Sequence, residues 1–135
     1  MNWRILNLLS LAAVGMALLA IFGITTRNVE MMLWLVVCVL GAWVLIKEVP
    51  EEKGRVHALL LGVMWGLING LLQSFLFDTY LANNPAITEQ MSEPMPVPAP
   101  VMPIFSSLIA GMFSGVLMTG IMMVMRRFTK KEGIS

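Results

Sequence analysis

The sequence predicts an all-α integral membrane bundle of four transmembrane helices, a single domain over residues 1–135. Apolar residues make up 58% of the chain and charged residues only 13%, against about 45–50% and about 25% in soluble domains. Four stretches lack charged side chains, and the Lys and Arg residues fall almost entirely on one side of them. This composition excludes a disordered chain, a disulfide-stabilised scaffold and an ordinary soluble enzyme.

Three of the four uncharged stretches are long enough to cross a bilayer. They contain 22, 22 and 32 residues, and the longest is trimmed at its proline-rich start. A helix that crosses a hydrocarbon core of about 30 Å needs about 20 mainly apolar residues. We therefore predict transmembrane helices over about 3–25, 57–77 and 104–127.

The remaining stretch, residues 31–46, is shorter and needs a separate argument. At 1.5 Å per residue its 16 residues cover about 24 Å, which is less than the core. However, no face of this segment carries a strongly polar side chain, whereas a helix that lies on the membrane surface needs a polar face. Trp34 and Trp43 lie near its two ends, as interfacial anchors do. We predict a fourth transmembrane helix over about 29–47.

The distribution of Lys and Arg predicts how the chain is inserted. With four spans, eight of these residues share one face of the membrane and Arg27 is alone on the other. Because cytoplasmic segments carry the excess of Lys and Arg, we expect both termini to be cytoplasmic in a multi-pass protein of the plasma (inner) membrane. Omitting the second helix gives another eight-to-one split, so the charges support the orientation rather than the number of spans. The eight residues are Arg4, Lys47, Lys53, Arg55, Arg126, Arg127, Lys130 and Lys131.

Two connecting segments differ in composition. Residues 47–56 carry six charges of both signs and predict a short, solvated cytoplasmic loop. Residues 78–103 contain three acidic residues and no Lys or Arg, and prolines occupy alternate positions from 94 to 100. Alternating proline favours extended polyproline II structure, so we predict a semi-rigid outer arm. This arm acts as a spacer or docks onto a partner or a neighbouring subunit.

Small residues recur at every fourth position on the third and fourth predicted helices. In lipid, helices associate through close backbone approach at small residues, so both stripes indicate tight packing of the glycine-zipper type. The contact lies within one chain or at a subunit interface, and both hold if the stripes face different partners. The stripes consist of Ala58, Gly62, Gly66, Gly70 and Ser74, and of Ser107, Gly111, Gly115 and Thr119.

A polar stripe lies beside the first of these. Asn69 and Gln73 share one face of the third helix, and Asp78 follows at its outer end. Polar groups inside a membrane must face protein or water. These residues therefore either form hydrogen bonds between helices, at about 0.6–2 kcal/mol each, or line a polar track that opens toward an acidic outer vestibule.

Groups that could perform catalysis or hold a metal are sparse. His57 is the single histidine and Cys38 the single cysteine, whereas nucleophilic catalysis and metal ligation need several convergent groups. We therefore expect no catalytic residue, metal or cofactor, and we interpret Cys38 as a small core hydrophobe. The net charge of +1 gives no electrostatic basis for binding nucleic acid.

Two functions fit these observations. We expect a non-catalytic helix-packing or accessory subunit of a membrane assembly, formed with copies of itself or with other membrane subunits, because the most regular patterns concern packing. The alternative is a small homo-oligomeric channel or facilitator for a cation or a small polar solute, lined by Asn69, Gln73 and Asp78. A membrane-embedded enzyme ranks a distant third.

Overall fold

The structure is a computed structural model that describes the backbone of residues 1–132 and the side chains of residues 1–129. Helix accounts for about 85% of the described residues, and they contain no strand. The side chains of Lys130 and Lys131, on which the predicted orientation partly depends, lie outside this description. The elements are α1 (Trp3–Ile21), α2 (Arg27–Glu48), α3 (Glu51–Phe75), α4 (Phe77–Asn83), α5 (Pro85–Gln90), a 3₁₀ turn (Ala99–Val101) and α6 (Met102–Glu132).

Four of these helices are long and apolar enough to cross a membrane: α1, α2, α3, and α6 together with the turn before it. The sequence prediction of an all-helical chain with four such helices is thereby confirmed. Large apolar side chains on their outward faces are exposed, for example Leu8, Leu40 and Phe113. In water this much apolar surface would be costly, whereas lipid tails accept it.

The α2–α3 connection is shorter than the predicted loop over residues 47–56. Only Val49 and Pro50 separate the two helices. All six charged residues of the predicted loop belong to the last turn of α2 or the first turns of α3. Pro50 precedes the first turn of α3, where its fixed φ and missing N–H are tolerated. Glu51 and Glu52 follow in that turn, and negative charge there is favourable because it opposes the positive end of the helix dipole.

The segment after α3 is also more helical than the predicted extended arm. α4 and α5 occupy its first half, and Pro85 takes the first position of α5, where proline is favoured. The alternating prolines begin only at Pro94, so they restrict the second half alone. The Asn84 side chain fastens this segment to the bundle, because its Nδ2 donates to the carbonyl oxygens of Ala20 at 2.9 Å and Tyr80 at 2.8 Å.

α3 lies at the centre of the bundle and packs against α6, α1 and α2. Trp65 is its largest fully buried side chain. The indole Nε1 donates to the Leu9 carbonyl oxygen of α1 at 3.0 Å, and the ring lies 5.7 Å from that of Trp34 at a tilt of 53°. Trp34, expected as an interfacial anchor, therefore also packs inside the bundle.

The packing of α2 is uneven along its length. All its buried residues lie in its second half, from Cys38 to Leu45. Cys38 belongs to the buried core, in agreement with its interpretation as a small core hydrophobe. The first half of α2 faces the space described below.

His57 connects α3 to the start of α1. Its ring is buried, Nδ1 lies 2.8 Å from the Lys53 carbonyl oxygen, and Nε2 accepts the Asn2 backbone N–H at 2.9 Å. A backbone carbonyl can only accept, so Nδ1 carries the proton. Both ring nitrogens are thus engaged: Nδ1 within α3, and Nε2 in the bond that joins α3 to the start of α1.

Candidate functional site: a cleft between α2 and α6

The small residues of α3 and α6 face each other within the chain. A Cβ atom added to Gly66 would lie 2.5 Å from the Ser107 carbonyl oxygen, and one added to Gly62 would lie 2.6 Å from the Gly115 nitrogen. The two backbones are therefore in direct contact, and these faces are not available to a second subunit. Seven of the nine predicted packing residues are buried: Ala58, Gly62, Gly66, Gly70, Ser107, Gly111 and Gly115.

The other two predicted packing residues lie at the margins of this contact. Ser74 is half-buried, and its Oγ donates to the Pro100 carbonyl oxygen at 2.6 Å. This bond ties the end of α3 to the segment that leads into α6. Thr119 is also half-buried and donates to the Gly115 carbonyl oxygen at 2.9 Å, within its own helix.

α2 and α6 touch in the middle of the bundle and separate toward the end capped by α4, which we call the α4 end. Gly41 of α2 faces Met118 of α6 at the contact. Beyond it lies a cavity of about 890 Å³, here called the α2–α6 cleft. Met31 on α2 and Phe113 on α6 line it and are exposed, so it opens sideways between the two helices.

The floor of the α2–α6 cleft is the polar stripe of α3. Asn69 Nδ2 donates to Ser107 Oγ at 3.1 Å, and Gln73 Nε2 lies 3.4 Å from Asn69 Oδ1. The two amides are only 9% and 6% exposed, yet within the described chain Gln73 Oε1 accepts no hydrogen bond. The structure therefore places Asn69 and Gln73 together in the cleft. Asp78 is exposed on α4 and does not line it.

Charged and hydroxyl groups form the lip of the cleft at the α4 end. Arg27 and Glu30 lie on the first turn of α2, opposite Tyr80 of α4. Burial raises the pKa of Tyr80, the Glu30 carboxylate raises it further, and Arg27 partly offsets both. Thr25 Oγ1 is also buried at this lip and has no hydrogen-bond partner among the residues described. Buried hydroxyl groups are normally paired, so this one is an exception among the described residues.

The charged side chains and the tryptophans of the cleft lie at opposite ends of it. Arg27, Glu30 and Gln73 lie at the α4 end, whereas Trp34 and Trp65 lie at the inner end. Trp65 is completely buried and forms the base. The cleft thus has a charged end, an aromatic end that also contains Ser114, and an open side.

The described residues contain no candidate metal site. Within that part of the chain, no three His, Cys, Asp or Glu side chains are close enough to hold a metal ion together. The pairing of Ser107 with Asn69 was not predicted, although both lie on stripes that the sequence reveals.

Comparisons with known protein families, curated proteins and solved structures give no match to this chain.

Proposed function

We propose that this chain is an integral membrane protein with four spans that works without catalysis, as an accessory protein that binds an amphiphile of the outer leaflet in the α2–α6 cleft. Four apolar helices with exposed apolar faces support insertion. In this proposal the α4 end faces outward and both termini are cytoplasmic, because Lys and Arg concentrate at the other end.

The observation that carries the proposal is the shape and polarity of the cleft. Its volume of about 890 Å³ lies within the range of about 300–1,000 Å³ that is typical of ligand sites. Its floor from Gln73 to Trp65 extends over eight residues, or about 12 Å of helix, which is roughly the depth of one leaflet. A whole transmembrane helix would collide with the α2–α6 contact, whereas a molecule of one leaflet ends above it.

The separation of charged and aromatic groups matches the same class of molecule. A polar headgroup would meet Arg27 and Glu30, while the chain would lie against the half-buried ring of Trp34, above Trp65. Gln73 Oε1, which is costly to leave unpaired in hydrocarbon, would accept a hydrogen bond from a hydroxyl or amine below the headgroup.

Partnership with other membrane subunits and the facilitator alternative remain predictions from the sequence. In a single chain the polar floor ends at Trp65, which is completely buried. This geometry favours binding over conduction. A facilitator would have to build the inner half of its path elsewhere, for example between copies of the chain.

The proposed orientation predicts a specific labelling pattern. In a Cys38→Ala background, Thr88→Cys should react in intact cells with a maleimide that cannot cross the membrane, because Thr88 is exposed at the α4 end. Thr129→Cys, exposed near the end of α6, should react only after permeabilisation. The reverse pattern would overturn the orientation, and reaction at both positions in intact cells would overturn the number of spans.

Occupation of the cleft predicts that lipid chains come close to Trp65, which is buried at the base of the cleft. In a variant with phenylalanine at the other three tryptophan positions, Trp65 fluorescence should be quenched by phosphatidylcholine that is brominated on its acyl chains. Ala110→Phe should greatly reduce this quenching, because Ala110 lines the cleft and the larger side chain would fill it.

The matched control for this experiment is Met112→Phe. Met112 is exposed on the same helix but does not line the cleft, so quenching should remain as in the parent. Equal quenching in both variants, or none in the parent, would count against a lipid-like occupant.

A further inference from the structure

A second cavity lies at the opposite end of the α3–α6 pair, and the cleft proposal does not use it. Its volume is about 410 Å³. It is placed where α3 begins and α6 approaches its end, which is the cytoplasmic boundary in the proposed orientation. Residues from both helices line it, among them Glu52, Arg55, Met122, Met123, Arg126 and Arg127.

One arginine of this cavity is held in place by α3. Arg126 Nη1 donates to the Glu51 carbonyl oxygen at 3.1 Å and lies 3.9 Å from Glu51 Oε1, and its side chain is only 17% exposed. Gly54 makes room for this arrangement, because an added Cβ would lie 3.1 Å from Arg126 Nη2. The guanidinium is therefore a fixed wall of the cavity.

The other two arginines are available to a ligand. Arg55 and Arg127 are exposed, and the one ion pair formed within residues 1–129 joins Arg126 to Glu51. Two guanidinium groups in one cavity fit a phosphate, which arginine recognises through paired hydrogen bonds. Glu52 also lines the cavity, so a ligand that carries hydroxyl or amine donors beside its phosphate fits better than a bare anion.

An apolar wall continues from the arginines toward the middle of the bundle. Met122 is buried at the base of the cavity and Met123 is partly exposed beside it. Deeper still, exposed apolar side chains follow on both helices: Leu59 lies one turn from Arg55 on α3, and Val116 lies two turns from Met123 on α6. A ligand with a phosphate at one end and a hydrocarbon chain at the other would contact both parts.

We infer that this cavity binds the headgroup of an anionic phospholipid, with its phosphodiester between Arg55 and Arg127 and its acyl chain along Met123. A phosphatidylglycerol headgroup also supplies hydroxyl donors for Glu52. The inference depends on the membrane insertion proposed above but not on any ligand in the α2–α6 cleft.

The test is a titration of the full-length protein in detergent with phosphatidylglycerol, followed by native mass spectrometry. We expect one phosphatidylglycerol to bind in preference to phosphatidylcholine. Arg55→Gln with Arg127→Gln should weaken this binding by tenfold or more, since a hydrogen bond to a charged group contributes on the order of a tenfold effect. If the double variant does not fold, Arg127→Gln alone should weaken binding by about tenfold.

The matched control removes two cationic charges elsewhere on the same proposed membrane face. Arg4→Gln with Lys47→Gln should leave the affinity unchanged, because neither residue lines the cavity. If both double variants lost the same phosphatidylglycerol affinity, the binding would reflect general attraction between basic residues and anionic lipid, and the proposed site would be overturned. Thermal stabilisation by inorganic phosphate without preference for phosphatidylglycerol would identify a site for free anions instead. If phosphatidylglycerol binds as expected but brominated phosphatidylcholine does not quench Trp65 in the parent, the cleft proposal alone would be overturned.

Discussion

Gly111→Ala is expected to lower the melting temperature of the purified protein by several degrees. A Cβ atom at this position would lie 2.7 Å from both the nitrogen and the Cα of Gly66. These are backbone atoms of α3, so no side chain can turn away and the two helices must separate. Overpacking of this kind costs about 1–3 kcal/mol, and it acts on the most extensive contact of the bundle. Thermal unfolding in detergent, followed by circular dichroism, measures the change.

Gly120→Ala on the same helix is the matched control. Nothing lies within 4 Å of a Cβ atom added at Gly120, and alanine stabilises a helix relative to glycine by about 1 kcal/mol. Its melting temperature should therefore equal or exceed that of the parent. If the two alanine variants melted together, the close α3–α6 contact would not exist in solution.

Trp65→Ala is expected to be the most destabilising single substitution in the bundle. The side chain is completely buried, and it connects α3 to α1 through the hydrogen bond to Leu9 and to α2 through its contact with Trp34. Truncation of a buried tryptophan to alanine typically costs about 3–5 kcal/mol. It would also remove the base of the α2–α6 cleft. The same melting experiment should show a larger fall than Gly111→Ala.

Two further variants separate the contributions of Trp65. Trp65→Phe keeps an aromatic ring but loses the indole N–H, so it should cost about 1 kcal/mol for the lost hydrogen bond, together with a smaller packing term. Trp43→Ala removes the same side chain from an exposed position, where little packing is lost. A Trp65→Ala protein as stable as Trp43→Ala would contradict the central position of Trp65.

The helices could be predicted from the sequence because their signal is local. Uncharged stretches located all four long helices, but the boundaries shifted. α1 ends at Ile21 rather than near residue 25, just before Gly23 takes a positive φ, and α3 begins earlier than predicted because charge was taken as evidence against helix. At Glu51 and Glu52 the negative charges favour the start of α3. In the segment before Pro94, the restriction imposed by the later prolines was extended too far toward α4 and α5.

The candidate site was only partly predictable because it depends on which helix faces are neighbours. The four-residue spacing of Asn69 and Gln73 placed both on one face, and the structure brings them together. Asp78 follows them in sequence, but α4 carries it away from the cleft. The contributions of Tyr80 and Thr25 come from segments distant in sequence, and no short-range pattern identifies them.

The uneven packing of α2 determines which wall of the cleft is held most weakly. α6 is clamped to α3 by backbone contact along the glycine faces, and α4 follows α3 after a single residue, Leu76. These parts form one block with the polar floor. The first half of α2, by contrast, has no buried residue and meets the core only in part, through Trp34 and Val37. A change in the width of the cleft therefore breaks the fewest contacts when the turns of α2 before Trp34 move.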